Sequence, residues 1–432
     1  MRYIINLILL LPMILLASRE IVQESWETKN SPYIINKDIE IPSNTVLVIE
    51  SGVEIVFSGD YEFKVDGYIK ARGEYDKKIV FRGLNNQKWK GIRFNFQRSQ
   101  EDTIVSILNN CHILNSYAPD TQIGERNGNG GAVHISKGNK VLISDCTIED
   151  NDAENSGGAI YVFDGSLEVR NCIIRNNKAD NGGAIYSRNS NPILINNTII
   201  NNLARKDGGA IYTKDSYGSF VNTIFWGNSA ERGKQLYLSD AHSNPDFYNC
   251  DIEGGKKDFK GPGAGVNFEG KYLDCIDKDP LINESEEGIY YSLLENSPCI
   301  NSGIKNYGHY SFPVYDIVGN RRVNQIVDIG SVEYYSNTTG INERDEMSSS
   351  LIRNYPNPFN GFTTINFILE DSKTANVEIY NNSGKVIKQF NKRFDKGENS
   401  FTLDFNGLST GIYYLSIKSK DAVAIKKLHY IK

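Results

Sequence analysis

The sequence predicts an all-β chain, a solenoid of stacked parallel coils followed by a small immunoglobulin-like β-sandwich. Gly130-Gly131-Ala132, Gly157-Gly158-Ala159, Gly182-Gly183-Ala184 and Gly208-Gly209-Ala210 recur at offsets of 27, 25 and 26 residues. Cys146-Thr147-Ile148, Cys172-Ile173-Ile174, Asn197-Thr198-Ile199 and Asn222-Thr223-Ile224 keep step with them at 26, 25 and 25, flanked by Cys111-His112-Ile113 and Cys250-Asp251-Ile252. Residues 351–432 are instead a run of short alternating strands and turns, the pattern of a sandwich. A period near 25 is too short for a propeller blade and lacks the leucine consensus of a horseshoe, which leaves one coil per repeat.

Residues 1–18 read as a secretory signal peptide: Arg2, an apolar run from Ile4 to Leu16, then the small pair Ala17-Ser18. The run is shorter than the ~20 apolar residues that span a bilayer, and no second such run follows, so no transmembrane segment is expected after its removal. The solenoid is expected over 19–335. Its first coils begin with Pro32-Tyr33-Ile34-Ile35, the run from Thr45 to Val53, and Trp89 to Phe94.

In a solenoid, equivalent positions stack about 4.8 Å apart, and neighbours along a strand face opposite ways. Ile113, Ile148, Ile174, Ile199, Ile224 and Ile252 are therefore expected to form one interior column, and Val133, Ile160, Ile185, Ile211 and Leu236 another. Asn151, Asn177 and Asn202 read as an asparagine ladder at a turn, where Asn tolerates left-handed dihedrals and amides can bond from coil to coil. The paired glycines suit positive φ or close approach between coils.

Between the aliphatics, His134, Tyr161, Tyr186, Tyr212 and Tyr237 form a column that should face outward. An exposed aromatic stripe is a platform for sugar rings, and these five are the candidate ligand-binding residues. The competing reading is aromatic stacking that only ties coils together. Asp150, Asp152, Glu154, Asp180 and Asp207 gather in the turns before the glycines and form the weak calcium candidate; no other cofactor is indicated. A solvated acidic edge is the alternative.

Cys111, Cys146 and Cys172 share a column too widely spaced for a bridge and are expected to be stacked thiols. Cys275 and Cys299 lie outside that column and are the disulfide candidate, in a chain whose export permits one. The five histidines never fall at zinc spacing, so no structural metal is expected. The formal charge of -6, with no basic block, excludes a nucleic-acid surface.

The Gly-Gly-Ala-Ile-Tyr repeats resemble the right-handed parallel β-helix group, shared by polysaccharide lyases and surface adhesins of the polymorphic membrane type. Within 272–335, Asp279-Pro280-Leu281, Ser297 to Gly303, Asp316 to Asn320 and Asp328 to Glu333 resemble the choice-of-anchor segment that commonly closes such helices. A polar linker is expected at 336–350. From 351 to 432 the chain is similar to the C-terminal sorting domain of type IX secretion. The resemblance rests on Asn354-Tyr355-Pro356-Asn357-Pro358, on Leu408 to Tyr414 and on the basic ending Lys426-Lys427-Leu428-His429-Tyr430-Ile431-Lys432. It implies the type IX machinery as a partner and a secreted or surface location, with the domain usually removed as the passenger is released or attached to surface lipopolysaccharide.

A lyase needs a cationic base beside carboxylates, and a hydrolase needs converging carboxylates; neither assembles from these columns. The expectation is a non-catalytic surface protein contributing to adhesion or glycan binding. Arg170, Arg175, Arg188, Arg205, Lys178 and Lys206 near the acidic turns keep open the alternative of a polysaccharide lyase or glycoside hydrolase working in the β-helix groove.

Overall fold

The structure, a computed structural model, describes residues 22–334 and 353–431 apart from 100–101, 122–127, 285–290, 306–307, 309–311, 323–326, 356–358, 370–371, 382–384 and 419–422. The segment 1–18 and the linker at 336–350 lie outside the described residues. The chain divides into two compact units, with the boundary between residues 335 and 336.

The first unit is a parallel β-solenoid of about nine turns. Its first wall stacks ten strands from Val22–Trp26 to Tyr272–Leu273, and its second stacks nine from Tyr33–Ile35 to Asp251–Ile252. The third stacks eight, from Ile39–Ile41 to Leu236–Leu238, and a narrow fourth wall of four strands (Tyr117–Ala118 to Leu203–Asp207) lies between the second and third in chain order. Every strand pair within these walls is parallel, because the chain returns to the same wall after one coil.

The expected interior columns hold with one exception. Val133, Ile160, Ile185, Ile211 and Leu236 are in register and fully buried. On the second wall Ile113, Ile148, Ile174 and Ile199 continue into Phe225 and Ile252, not Ile224. The coil before Phe225 is one residue longer than the letters suggest: Asn197 pairs with Thr223, so Ile224 turns outward and is covered from outside.

Each corner of a coil reverses the chain through a left-handed residue. Asn110, Asp145, Asn171, Asn196, Asn222, Asn249 and Asp274 take φ of 48–56° where the first wall passes to the second. Asp150, Asn176 and Asn201 take φ of 57°, 55° and 55° at the next corner, so the left-handed position is the residue before each ladder Asn rather than the ladder Asn itself. Asp and Asn dominate because their short polar side chains make this conformation least costly for a non-glycine. In the glycine pairs the two roles divide: Gly182 has φ of 64°, while a Cβ on Gly183 would stand 2.4 Å from the Gly209 carbonyl oxygen.

The asparagine ladder is present and longer than expected. Asn151 donates from Nδ2 to Asn177 Oδ1 (2.9 Å), Asn177 to Asn202 (3.0 Å) and Asn202 to Asn228 (2.9 Å), with Ser116 Oγ bonding Asn151 at the start and Gln235 accepting from Asn228 at the end.

After Leu273 coiling stops. The described residues of 291–334 form a strap that runs back along the corner between the first and second walls. Cys299 meets Asp251, Ser302 meets Asn249, Ile304 meets Asn222, and Tyr315 and Arg322 meet Asn171. The strap buries outward-facing Ile173, Ile200 and Ile224 of the second wall, and its Ile304 and Phe312 cover Ile195, Val221 and Tyr248 of the first. The left-handed Asn column supplies the polar anchor points, since those side chains project from the corner.

The expected Cys275–Cys299 disulfide is not formed: all six cysteines are free. Cys275 stacks instead on Cys250, because Asp251 pairs with Ile276 and extends the cysteine column by one more coil. Cys299 Sγ contacts Asp251 Oδ2 at 3.1 Å within the strap. Cys275 is half-buried, and its contact with Cys250 lowers its pKa, whereas Cys111, Cys146, Cys172, Cys250 and Cys299 are buried out of a reagent's reach. A thiol-specific alkylating agent applied to the native protein is therefore expected to modify Cys275 alone, the other five reacting only after unfolding. Mass spectrometry of the labelled peptides checks this, and early labelling of Cys111 or Cys172 would contradict it.

The second unit is two antiparallel sheets. One orders Arg353–Tyr355, Phe362–Leu369 and Gly397–Asp404; the other orders Val386–Phe394, Lys373–Asn381, Gly411–Lys418 and Val423–Tyr430. Alternate residues of both sheets, among them Ile365, Phe367, Val377, Ile379, Leu415, Ile417 and Leu428, meet in one core, consistent with a β-sandwich.

Candidate functional site: the outer face of the third wall

The third wall carries the Tyr column. His134, Tyr161, Tyr186, Tyr212 and Tyr237 are in register on successive strands, as their spacing requires. Register extends the column upstream through Arg93, Lys64 and Glu40, a charged continuation that the aromatic repeat does not reveal.

The column is not an exposed platform. Tyr161, Tyr237 and His134 are each only 8% exposed, and Tyr186 and Tyr212 are half-buried. Strand spacing explains this. Adjacent Tyr rings lie 5.2, 4.8 and 5.1 Å apart with interplanar angles of 13°, 11° and 18°, so each ring covers the face of the next. The faces a sugar would stack on are consumed within the column, and the wall offers ring edges and hydroxyls instead. His134 sits at the start of the stack, 4.9 Å from Tyr161. Burial and then Arg93 hold its pKa down to about 3, which makes it a neutral ring and no proton shuttle at physiological pH.

The hydroxyls of Tyr161, Tyr186 and Tyr237 meet no partner among the described residues, while Tyr212 interacts with Ser239. Burial raises the pKa of Tyr161, Tyr186 and Tyr212, so these phenols remain protonated donors.

Three of the five turn carboxylates are held by cations. Asp152 and Asp180 share Arg205 at 3.0 and 3.4 Å, Asp180 also takes Lys206 at 2.8 Å, and Asp207 receives Arg232 through two bonds of 2.7 Å. Glu154 accepts from the Tyr117 hydroxyl and the Asp120 amide, and Asp150 stands exposed at its corner. No group of three or more His, Cys, Asp or Glu that could hold a metal occurs among the described residues. The five carboxylates thus do not converge as calcium ligands would.

Residues 85–292 match the model of the right handed beta helix region, and residues 353–431 match that of the secretion system C-terminal sorting domain. The chain carries a right-handed β-helix region and a type IX secretion sorting domain. No curated protein matches it. The sorting domain marks the β-helix protein for the type IX secretion system and for a secreted or cell-surface location. No helix among the described residues is long and apolar enough to cross a membrane.

One polar cluster of the β-helix escaped sequence reasoning. On the second wall His112 Nε2 lies 2.6 Å from Glu149 Oε1, and Glu149 Oε2 lies 2.5 Å from Arg175 Nε. The Arg175 guanidinium lies over the ring of the strap residue Tyr291 and bonds its hydroxyl. Although burial opposes it, His112 and Arg175 together hold the Glu149 carboxyl below its usual range. Part of the signal was local, since outward positions on three consecutive coils carry these groups. Tyr291 could not be joined to them without the strap's path.

Proposed function

We propose that this secreted β-helix protein is a non-catalytic surface protein that contributes to adhesion by binding glycan on its third wall. The row of Tyr hydroxyls, one per coil and without protein partners among the described residues at Tyr161, Tyr186 and Tyr237, carries this reading: rigid phenols at regular spacing suit a repeating hydroxyl-rich polymer. The pairing of Asp152, Asp180 and Asp207 with Arg and Lys supports the non-catalytic part, because a carboxylate already held by a cation is a poor base. The full-length protein on a glycan array is expected to bind at least one polysaccharide while releasing neither unsaturated products nor new reducing ends from it. Silence across the array would sink the proposal.

The His112–Glu149 pair favours a second reading, a polysaccharide lyase or glycoside hydrolase, since a carboxylate-oriented imidazole is a common general base. Turnover abolished by His112→Ala would establish it.

A further inference from the structure

We infer that the strand Val386–Phe394 of the sorting domain is a docking edge, to which an extended acidic segment of the type IX machinery adds as one more strand. This concerns the second unit alone and goes beyond the glycan reading.

Val386–Phe394 is the outermost strand of the four-stranded sheet, held on one side by Lys373–Asn381. Along its other side no strand pairs with it among the described residues. A free row of N–H and C=O groups nine residues long is a template for a further strand. The opposite edge of the sheet differs, because Phe359 bonds the backbone of His429 and Ile431 and closes the end of the strand Val423–Tyr430.

The side chains of the free edge are of two kinds. Val386 and Phe390 are apolar, yet 40% and 37% exposed. Phe390 stands opposite the core residue Val377 and meets Phe401 of the facing sheet edge-on at 5.9 Å, so it extends the core to a seam that nothing finishes covering. Lys385, Lys388, Lys392, Arg393 and Lys396 line the same edge, and none has a carboxylate within ion-pair distance among the described residues. By contrast, Lys418 on the sheet's interior strand is paired with Glu378 at 2.8 Å. Lys388 lies opposite Ile379 and donates to the Asp404 carbonyl, while Lys392 lies opposite Ala375 and over the rings of Phe394 and Phe401. Lys388, Phe390 and Lys392 thus share one side of the strand in the order cation, aromatic, cation.

Charge selects the occupant. Residues 351–432 hold twelve Lys or Arg and seven Asp or Glu, a net charge of +5 in a chain of net charge -6. Lysines on an edge keep a second copy from pairing there, since cation would face cation. A strand that alternates acidic with apolar residues meets no such penalty: its carboxylates reach Lys388 and Lys392 while an apolar side chain between them covers Phe390.

The test titrates the full-length protein with a labelled nine-residue peptide of alternating Glu and Val, with its N-methylated analogue, and with an alternating Lys-Val peptide. The Glu-Val peptide is expected to bind at least tenfold more tightly than either control and to slow amide exchange within 386–394. N-methylation keeps the charge and removes the N–H donors that strand pairing needs. Lys388→Glu/Lys392→Glu should weaken the Glu-Val peptide at least tenfold and reverse the preference toward Lys-Val, a gain that misfolding cannot produce. Equal binding of the N-methylated peptide would overturn the inference, because charge without strand pairing would then suffice. Absence of peptide binding would overturn it too, and binding to phosphatidylglycerol vesicles in its place would assign the edge to a lipid surface.

Discussion

Asn177→Leu is expected to destabilise the β-helix by about 4–6 kcal/mol, because it orphans several buried groups at once. Asn177 Oδ1 accepts from both the backbone N–H and the Nδ2 of Asn151, at 3.1 and 2.9 Å. Its own Nδ2 donates to Asn202 Oδ1 and to the carbonyls of Ile148 and Arg175. Asn151, Asn177 and Asn202 are at most 1% exposed, so water cannot replace what is lost. Leucine has the right bulk but none of these groups, and each donor or acceptor left unmade in such a site costs about 1–3 kcal/mol. Chains of amides also polarise one another, so breaking the middle rung weakens both neighbours. The preceding residue is the control: Asn176 is exposed with φ of 55°, and Asn176→Gly relieves that conformation without touching the ladder. Its effect should stay within about 1 kcal/mol. Urea unfolding of both variants, with amide exchange to localise the change, decides the matter. A loss below 1 kcal/mol for Asn177→Leu would mean that the ladder adjusts and is not a stabilising spine.

The solenoid is legible in the sequence because a repeat writes the same local constraint many times over. The Gly pairs, the Asn ladder and the Val133-to-Leu236 column are each set by the coil that contains them and by the coils on either side, all within about one period. What the letters conceal has a common cause, namely dependence on residues far along the chain. Asn222-Thr223-Ile224 copies Asn197-Thr198-Ile199 letter for letter, yet true register pairs Asn197 with Thr223. An isoleucine facing outward at 224 is tolerated only because the strap, some seventy or more residues further on, covers it. Cys275 gave a local signal, a cysteine 25 residues after Cys250 followed by Ile276 as a second aliphatic step, and the column it continues is what denies it to Cys299. For the tyrosines, position and direction were readable and exposure was not. Stacking at the strand spacing hides ring faces, a property of five side chains together rather than of any one.

The strap should be held by a pH-dependent lock centred on Arg322, with Arg322→Leu costing about 3–5 kcal/mol at alkaline pH and clearly less at pH 5. Arg322 is 6% exposed; it pairs with Glu333 and donates to Asn171 Oδ1 at 2.7 Å and to the Gly330 carbonyl at 3.0 Å. Four carboxylates surround it from both partners in the contact, Asp316, Asp328 and Glu333 of the strap and Asp145 of the solenoid corner. Burial raises Glu333 to about 7 despite Arg322, and it raises Asp145 to about 6 and both Asp316 and Asp328 above their usual range. Each group therefore binds its proton more tightly folded than unfolded. Its stabilising contribution is complete below the ordinary carboxylate pKa and is lost as pH rises through the folded value, so the strap should weaken between about pH 5 and pH 8. For Glu333 the effect is on the order of 2–3 kcal/mol. Removing the Arg322 cation from among these acids matters most when they are charged, which is why Arg322→Leu should do greater harm at pH 8. Glu333→Gln should act oppositely, flattening the pH dependence and tightening the strap at pH 8, since a neutral amide occupies the same space. Hydrogen exchange of amides in 291–334, corrected for the intrinsic rate at each pH, reads all three cases. Strap protection that is equal at pH 5 and pH 8 in the unmodified protein would show that these carboxyls do not change their protonation across that range and that the lock is not pH-dependent.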